Sequence, residues 1–253
     1  MDKTSTVKKI KTKISKTRLE YIFRLVGRII CLLVCILMLI FKSEDMSILE
    51  GINFFNGFSM YHIIWIIWII DMILQLIPVK DKIPLGSQKL FKLRFKPIRD
   101  KINYQALKEY VVSTTKAAYK IFLIWVALLA VLGGLYWSGI IGNSVLFIIS
   151  VFFYVCDLIC VLIWCPFRLI MKNKCCTTCR IFNWDHLMMF TPMIFIIGFY
   201  SISLIVMAFA VWLVWEFCVM VYPERFWEYS NAALQCSQCT DKLCTQYCKK
   251  LRK

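Results

Sequence analysis

Histidine is scarce in this chain of 253 residues, which holds only His62 and His186. The two lie near opposite ends of different apolar runs, so a haem held by both within one monomer is not expected. The sequence also lacks a P-loop, a dinucleotide-binding glycine motif, an H-E-x-x-H motif and a G-x-S-x-G nucleophile elbow. The loops are too short for a soluble ATPase or dehydrogenase domain, and whether the chain is an enzyme stays open.

Apolar residues are in large excess: 60% of the chain is hydrophobic and the mean hydropathy is +0.68. Soluble domains carry fewer apolar residues, whereas a bilayer accepts long apolar runs. The net charge is +16. Because the basic residues flank the apolar runs, they predict contact with anionic lipids rather than with nucleic acid. The first run is too long for a signal peptide and lacks a cleavage site, so a cleavable leader is not expected.

The apolar runs predict an all-α integral membrane protein with six transmembrane helices and a cysteine-rich cytoplasmic loop and tail. The stretch 187–222 has 36 residues, too many for one span of about 20, so we divide it near Gly198. The predicted spans are 21–41, 57–79, 120–139, 144–165, 187–200 and 203–222. The predicted units are a basic N-terminal segment 1–20, a membrane domain 21–222 and a tail 223–253.

The positions of lysine and arginine test this layout, because cytoplasmic loops are enriched in positive charge. The segments predicted inside are 1–20, 80–119, 166–186 and 223–253, and those predicted outside are 42–56, 140–143 and 198–203. Of 31 lysines and arginines, only Lys42 falls in an outside segment. The charge pattern therefore predicts a plasma-membrane or inner-membrane type protein with both termini in the cytoplasm. In the alternative with five spans, 187–222 is one long tilted helix and the basic tail lies outside.

The connection 80–119 interleaves basic and apolar residues. Leu90, Phe91, Leu93 and Phe95 alternate with Lys89, Lys92, Arg94 and Lys96. Such a pattern beside a span predicts a segment that lies in the headgroup layer. A solvated basic loop that only fixes the topology is an equally good interpretation.

Eight of the thirteen cysteines lie at the predicted cytoplasmic surface. They form two groups of four: Cys165, Cys175, Cys176 and Cys179, then Cys236, Cys239, Cys244 and Cys248. The two groups flank the last predicted hairpin, so the layout with six spans puts them on one face of the membrane. The other five are predicted to pack as small apolar side chains: Cys31, Cys35, Cys156, Cys160 and Cys218.

The spacing C-x-x-C occurs at Cys176–Cys179 and again at Cys236–Cys239. A turn of this kind aims two thiolates at one point, as in zinc knuckles and iron–sulfur loops. We therefore predict a metal site, either one with four thiolates or two separate ones, filled by zinc or by an iron–sulfur cluster. Disulfides would need an oxidising compartment, which the predicted topology does not provide. Redox-active thiols are the remaining alternative.

Charged residues within the predicted spans form a layer. Asp71, Asp157 and Glu216 each lie about 20 Å from the outer face, and Arg24 and Arg28 reach a comparable depth from inside. Charges in hydrocarbon are costly, so they are usually paired or functional. One interpretation is an arginine–carboxylate network that locks the helices together, and another is a path for protons or cations. Snorkelling to the interface could also satisfy Arg24 and Glu216.

A polar run precedes the fifth predicted span, with Asn183, Asp185 and His186 in apolar surroundings. Asp185 and His186 could form an acid/base pair, although neighbours on a helix point in different directions. The preferred interpretation is a helix N-terminus, with Asn183 as its cap and Asp185 favoured by the helix dipole.

Three functions fit these observations, and no motif places the chain in a named family. The first is a membrane redox or electron-transfer protein whose cysteine-ligated metal faces a lipid-soluble or protein partner. The second is a transporter or channel-like protein that uses its intramembrane acids and holds a structural zinc. The third is an interaction scaffold whose zinc shapes a cytoplasmic docking surface.

Overall fold

The computed structural model describes residues 15–41, 43–78, 90–98, 102–173, 175–239 and 243. Within these ranges the chain is helical and forms no strand, and four helices are long and apolar enough to cross a membrane. These four are α1 (Lys16–Phe41), α3 (Tyr104–Trp137), α4 (Asn143–Leu162) and α7 (Phe199–Val221). The other α-helices are α2 (Met60–Leu76), α5 (Phe167–Met171) and α6 (Asp185–Phe190). Short 3-10 turns cover Ser43–Leu49, Asn53–Phe55, Lys92–Arg94, Cys176–Thr178, Arg180–Trp184, Thr191–Phe195, Pro223–Phe226, Ala232–Leu234 and Cys236–Gln238.

Two helices begin where side chains cap them, which shifts the predicted spans. The Ser59 hydroxyl accepts from the N–H of Tyr61 at 3.3 Å, and His62 Nδ1 accepts from the N–H of Ser59 at 3.0 Å. This capping box starts α2 at Met60 and leaves it 17 residues long. The Asn103 side chain caps α3 in the same manner, so that helix takes in the last part of the predicted connection 80–119.

The fifth predicted span is not a regular helix. The α-helix α6 has six residues, and a 3-10 turn that contains Pro192 follows it. Proline lacks a backbone N–H and clashes with a preceding helical turn, which ends α6 here. The prediction that Asn183 caps this helix is wrong. The residue directly before α6 is Trp184, and no side chain caps the helix. Met189, Phe190 and Met193 are buried, so this irregular backbone lies within protein.

One end of the helix bundle gathers the segments predicted to lie outside. The N–H of Gly51 donates to the carbonyl of Ile197 at 2.9 Å, and the N–H of Phe199 donates to the carbonyl of Gly51 at 2.8 Å. The Asn143 side chain, at the start of α4, donates to Glu50 Oε1 at 2.6 Å. The first connection, the turn before α4 and the start of α7 therefore meet.

The opposite end gathers the basic connection and the tail. The N–H of Ile98 donates to the carbonyl of Ser230 at 3.3 Å, and the N–H of Ala232 donates to the carbonyl of Lys96 at 2.9 Å. Leu90 is buried in the protein core. The segment 90–98 of the basic connection is thus held in place by hydrogen bonds to the tail.

An aromatic layer fills the core between the two ends. Trp68 of α2 lies 4.9 Å from Phe190 and 5.9 Å from Phe147 of α4, measured between ring centroids. Phe147 lies 6.0 Å from Tyr200 of α7. All four rings are fully buried. Rings of this size contribute much of the buried apolar area, so this layer holds the middle of the bundle together.

We predict that Gly198→Ala destabilises the protein, because an added Cβ would overlap the carbonyl of Leu49. The backbone would have to move at the contact with Gly51, at a cost of about 2 kcal/mol. Thermal unfolding in detergent, followed by tryptophan fluorescence, measures the change. Gly134→Ala is the matched control, since nothing lies within 4 Å of its added Cβ. Equal melting temperatures for the two variants would contradict the prediction.

Candidate functional site

A reversal of the chain after α4 forms the cysteine loop, residues 163–179. The helix α4 ends at Leu162, and Pro166, with its fixed φ, is the N-cap of α5. Lys172 takes a left-handed conformation, with φ of 52°, and turns the chain back after α5. This reversal brings Cys176 against Cys165, eleven residues earlier in the sequence.

The sulfur of Cys165 interacts with one thiol of α4 and one of the cysteine loop. The thiols of Cys160 and Cys176 donate hydrogen bonds to the sulfur of Cys165. The backbone N–H groups of Arg168 and Phe167 donate to the same sulfur. These donors, led by the Cys160 thiol, hold the pKa of Cys165 well below its usual range, although burial opposes them. The pKa of Cys176 is raised, chiefly because its thiol is the donor to Cys165.

The environment of Cys179 differs from that of Cys165. Burial raises the pKa of its thiol to about 11, and this effect outweighs the hydrogen bonds that it receives from the N–H groups of Ile181 and Phe182 and from the Asn173 side chain. Cys179 and Cys165 are both buried, yet their thiols are shifted in opposite directions. Hydrogen bonds between thiols, rather than depth alone, therefore decide in which direction the pKa of each thiol is shifted.

A cavity of about 260 Å³ opens beside these sulfur atoms. Six cysteines line it, and we call it the six-cysteine cavity: Cys156, Cys160, Cys165, Cys175, Cys176 and Cys179. Cys156 and Cys160 were predicted to pack as small apolar side chains, and the structure places both in the wall of this cavity. The available signal was their i,i+4 spacing, which puts both on one face of α4, and the position of Cys160 just before Cys165.

The tail approaches the same loop. Cys236 lines a neighbouring cavity of about 150 Å³ together with Cys175. Leu243 lines a third cavity, of about 20 Å³, with Cys175 and Cys176. The structure therefore brings the beginning of the second cysteine group to the first. Cys239 is described, whereas Cys244 and Cys248 lie outside the described residues.

No formed coordination shell is present in the described part of the chain. Among those residues, no three His, Cys, Asp or Glu side chains are placed to hold a metal ion together. The predicted site with four thiolates has several of its sulfur atoms in one neighbourhood and stays a prediction.

An ion pair anchors the cysteine loop to α7. Arg180, directly after Cys179, donates from Nε to Glu216 Oε1 at 3.0 Å and makes a second bond from Nη2 to Oε2. Its Nη1 donates to Thr115 of α3 at 2.8 Å, and Trp184 Nε1 donates to Glu216 at 2.7 Å. Glu216 thus pairs with Arg180 and not, as the charge layer suggested, with the arginines of the first span.

The remaining charge layer is built around Arg28 of α1. Its Nη1 lies 2.7 Å from Asp157 Oδ2 and 2.6 Å from the carbonyl of Tyr154, both on α4. Its Nη2 lies 3.8 Å from Asp71 of α2, and Tyr154 donates its hydroxyl to Asp71 at 2.9 Å. The guanidinium of Arg24 lies 6.0 Å from the ring of Tyr21. One arginine therefore joins three helices.

Asp185 and His186 share a site although they are adjacent in the sequence. His186 Nδ1 lies 2.9 Å from Asp185 Oδ1 and 2.8 Å from Gln75 Oε1. Gln75 Nε2 donates to Asp185 Oδ1 at 3.1 Å. Sequence analysis missed Gln75, since a lone glutamine in an apolar run carries no spacing signal. The site is next to the Arg28 network, and Arg28, Asp71 and Asp157 line the same small cavity.

Comparison of the chain with known protein families, with curated proteins and with solved structures finds no match. The geometry of these residues is therefore the basis for any statement about function.

We predict that Glu216→Gln loosens the cysteine loop. The substitution leaves the half-buried Arg180 without its counter-charge, which costs about 3 kcal/mol. Cys179 should then react with iodoacetamide several-fold faster, as read by mass spectrometry of timed samples. Glu109→Gln is the control, because Glu109 lies on an exposed face of α3 and its partner is Gln105. Unchanged labelling of Cys179 would show that the ion pair does not hold the loop.

Proposed function

We propose that this chain crosses the membrane six times and keeps both termini and all eight surface cysteines on the cytoplasmic side. The contacts at the two ends of the bundle support this layout. The segments predicted outside meet around Gly51, and the basic connection meets the tail at Pro97 and Asn231. The irregular stretch 185–198 runs from the layer of Asp157 to Gly51, so it passes through most of the bundle before α7 returns.

On this membrane body the chain holds a thiolate-bound metal centre, either an iron–sulfur cluster or zinc. The observation that carries the proposal is the position of Cys175. This residue lines the six-cysteine cavity, the cavity of Cys236 and the cavity of Leu243. Loop and tail cysteines separated by about sixty residues in the sequence therefore converge on one place.

The donor set indicates the class of metal. The residues that converge are cysteines, and the described residues provide no histidine beside them. Sulfur donors select soft or borderline metals, and sets made only of cysteine hold structural zinc or iron–sulfur clusters. An iron–sulfur cluster would make the protein an electron carrier at the membrane surface, whereas zinc would tie the loop to the tail.

The test is the metal content of protein purified without oxygen. We expect about one or two metal ions per chain for zinc, or iron with acid-labile sulfide for a cluster. Cys176→Ser and Cys179→Ser should each lose most of the metal. Cys31→Ser is the matched control, because Cys31 lies in α1 away from these cavities. A protein without metal, or metal retained in both loop variants, would refute the proposal.

The identity of the metal then selects the function. Iron with sulfide and a broad visible absorbance would establish electron transfer as the activity and direct the search to redox partners. Zinc in colourless protein would make the centre structural.

The proposed position of the tail on the cytoplasmic side can be tested by cysteine labelling. A membrane-impermeant maleimide should leave Cys236 unlabelled in intact cells and label it after permeabilisation with a chelator present. Asn56→Cys, on the exposed first connection, should be labelled in intact cells and serves as the control. Labelling of Cys236 in intact cells would place the tail outside and remove the shared cytoplasmic centre.

A further inference from the structure

A small polar cavity of about 30 Å³ lies within the helix bundle between α1, α2, α4 and α6. We call it the polar cavity. Its volume holds one water molecule, or two, since a water needs about 10–15 Å³ by this measure. The titratable and charged side chains around His186 in its wall are Tyr21 and the two arginines Arg24 and Arg28 from α1, Asp71 from α2, Asp157 from α4, and Asp185 beside it.

One of the two ring nitrogens of His186 has no hydrogen-bond partner within the described residues. Nδ1 is taken by Asp185 and Gln75, at 2.9 Å and 2.8 Å. Nε2 is buried with no hydrogen-bond partner, and the residue as a whole is only 6% exposed. A buried polar atom without a partner costs about 1–3 kcal/mol. His186, which lines the polar cavity, therefore has a buried basic nitrogen that no described side chain or backbone group satisfies.

The charges in the wall indicate which charge the polar cavity lacks. Three carboxylates, from Asp71, Asp157 and Asp185, face two guanidinium groups, from Arg24 and Arg28. With a neutral His186 the wall has one negative charge in excess, and with a protonated His186 it is balanced. Among the described residues, α7 adds no charged side chain to this wall. An unbalanced charge is costly away from water, so a single positive charge is what the site lacks.

We propose that the polar cavity is a proton-binding site within the membrane body, where His186 accepts a proton at Nε2 from a hydronium ion. The imidazole gains the proton and becomes an imidazolium, and the hydronium that delivers it becomes water. The Nδ1–H continues to donate to Asp185, whose carboxylate offsets the new charge. The cavity is too small for an organic ligand, and an imidazole nitrogen with a free lone pair is a proton acceptor.

The proton reaches His186 from one side of the bundle. The buried rings of Trp68, Phe147 and Phe190 fill the core on the side of Gly51. Asp157 and Asp185, in contrast, line both the polar cavity and the six-cysteine cavity. The proton site therefore exchanges toward the cysteine side, next to the proposed metal centre. The proton site is formed by His186 and the carboxylates alone and does not require bound metal.

The experiment uses the small number of histidines. The full chain is labelled with ¹⁵N-histidine in lipid nanodiscs, and His62→Gln leaves one imidazole signal. Glutamine also serves at this capping-box position, so the start of α2 is retained. Between about pH 9 and about pH 5 we expect the ring to change from one protonated nitrogen to two. The unsubstituted protein, with both signals, checks that the substitution did not create the change.

A second variant tests the role of the carboxylates. Asp71→Asn removes one negative charge while its amide oxygen can still accept from Tyr154. The titration midpoint of His186 should move to lower pH by about 1 unit. Glu50→Gln, at the opposite end of the bundle, should leave it unchanged. A His186 ring with one protonation state throughout, or a midpoint that Asp71→Asn does not move, would overturn the proposal. The same titration in Cys176→Ser distinguishes the proton site from the proposed metal centre, because loss of metal should leave the titration of His186 unchanged.

Discussion

The ion pair of Arg28 is the interaction on which the membrane body depends. A guanidinium in hydrocarbon is tolerated only when its charge and its N–H groups are satisfied from within the protein. Arg28 meets this requirement with Asp157, the carbonyl of Tyr154, and Asp71, and so ties α1, α2 and α4 together at one level. The outward face of α1 is apolar and exposed, so this polar contact fixes which face of the helix turns inward.

The same requirement explains the irregular fifth segment. Backbone that is not helical can lie at membrane depth only if protein surrounds it. The 3-10 turn Thr191–Phe195 is enclosed by α3, α4 and α7, and Trp68 of α2 packs against Phe190 just before it. Asp185 and His186 lie in the first turn of the short helix α6 that precedes this turn, and Gln75 of α2 bonds to both. The polar cavity therefore lies beside the short helix that ends at the irregular turn.

The two proposed centres share a wall in this arrangement. Asp157 and Asp185 separate the polar cavity from the six-cysteine cavity, and Arg180 fixes the cysteine loop to α7 just below them. A metal centre changes charge when it binds or exchanges electrons, and a proton site nearby can compensate that charge. Metal binding by thiols also releases protons, which neighbouring carboxylates and a histidine can take up. Charge compensation would follow from the adjacent positions of the two proposed centres.

The sequence by itself determined the membrane class and the grouping of the charges, because the length of an apolar run and the position of lysine and arginine are local properties that a bilayer reads directly. It also indicated cysteine, aspartate and histidine as the candidate site residues. Only the tertiary structure decided their partners: Glu216 with Arg180, Gln75 with Asp185, and Cys160 with Cys165. Spacing along a helix shows which residues share a face. Which helix packs against that face depends on the packing of all the helices in the bundle. For this reason the residue types of the sites could be predicted and their pairing could not.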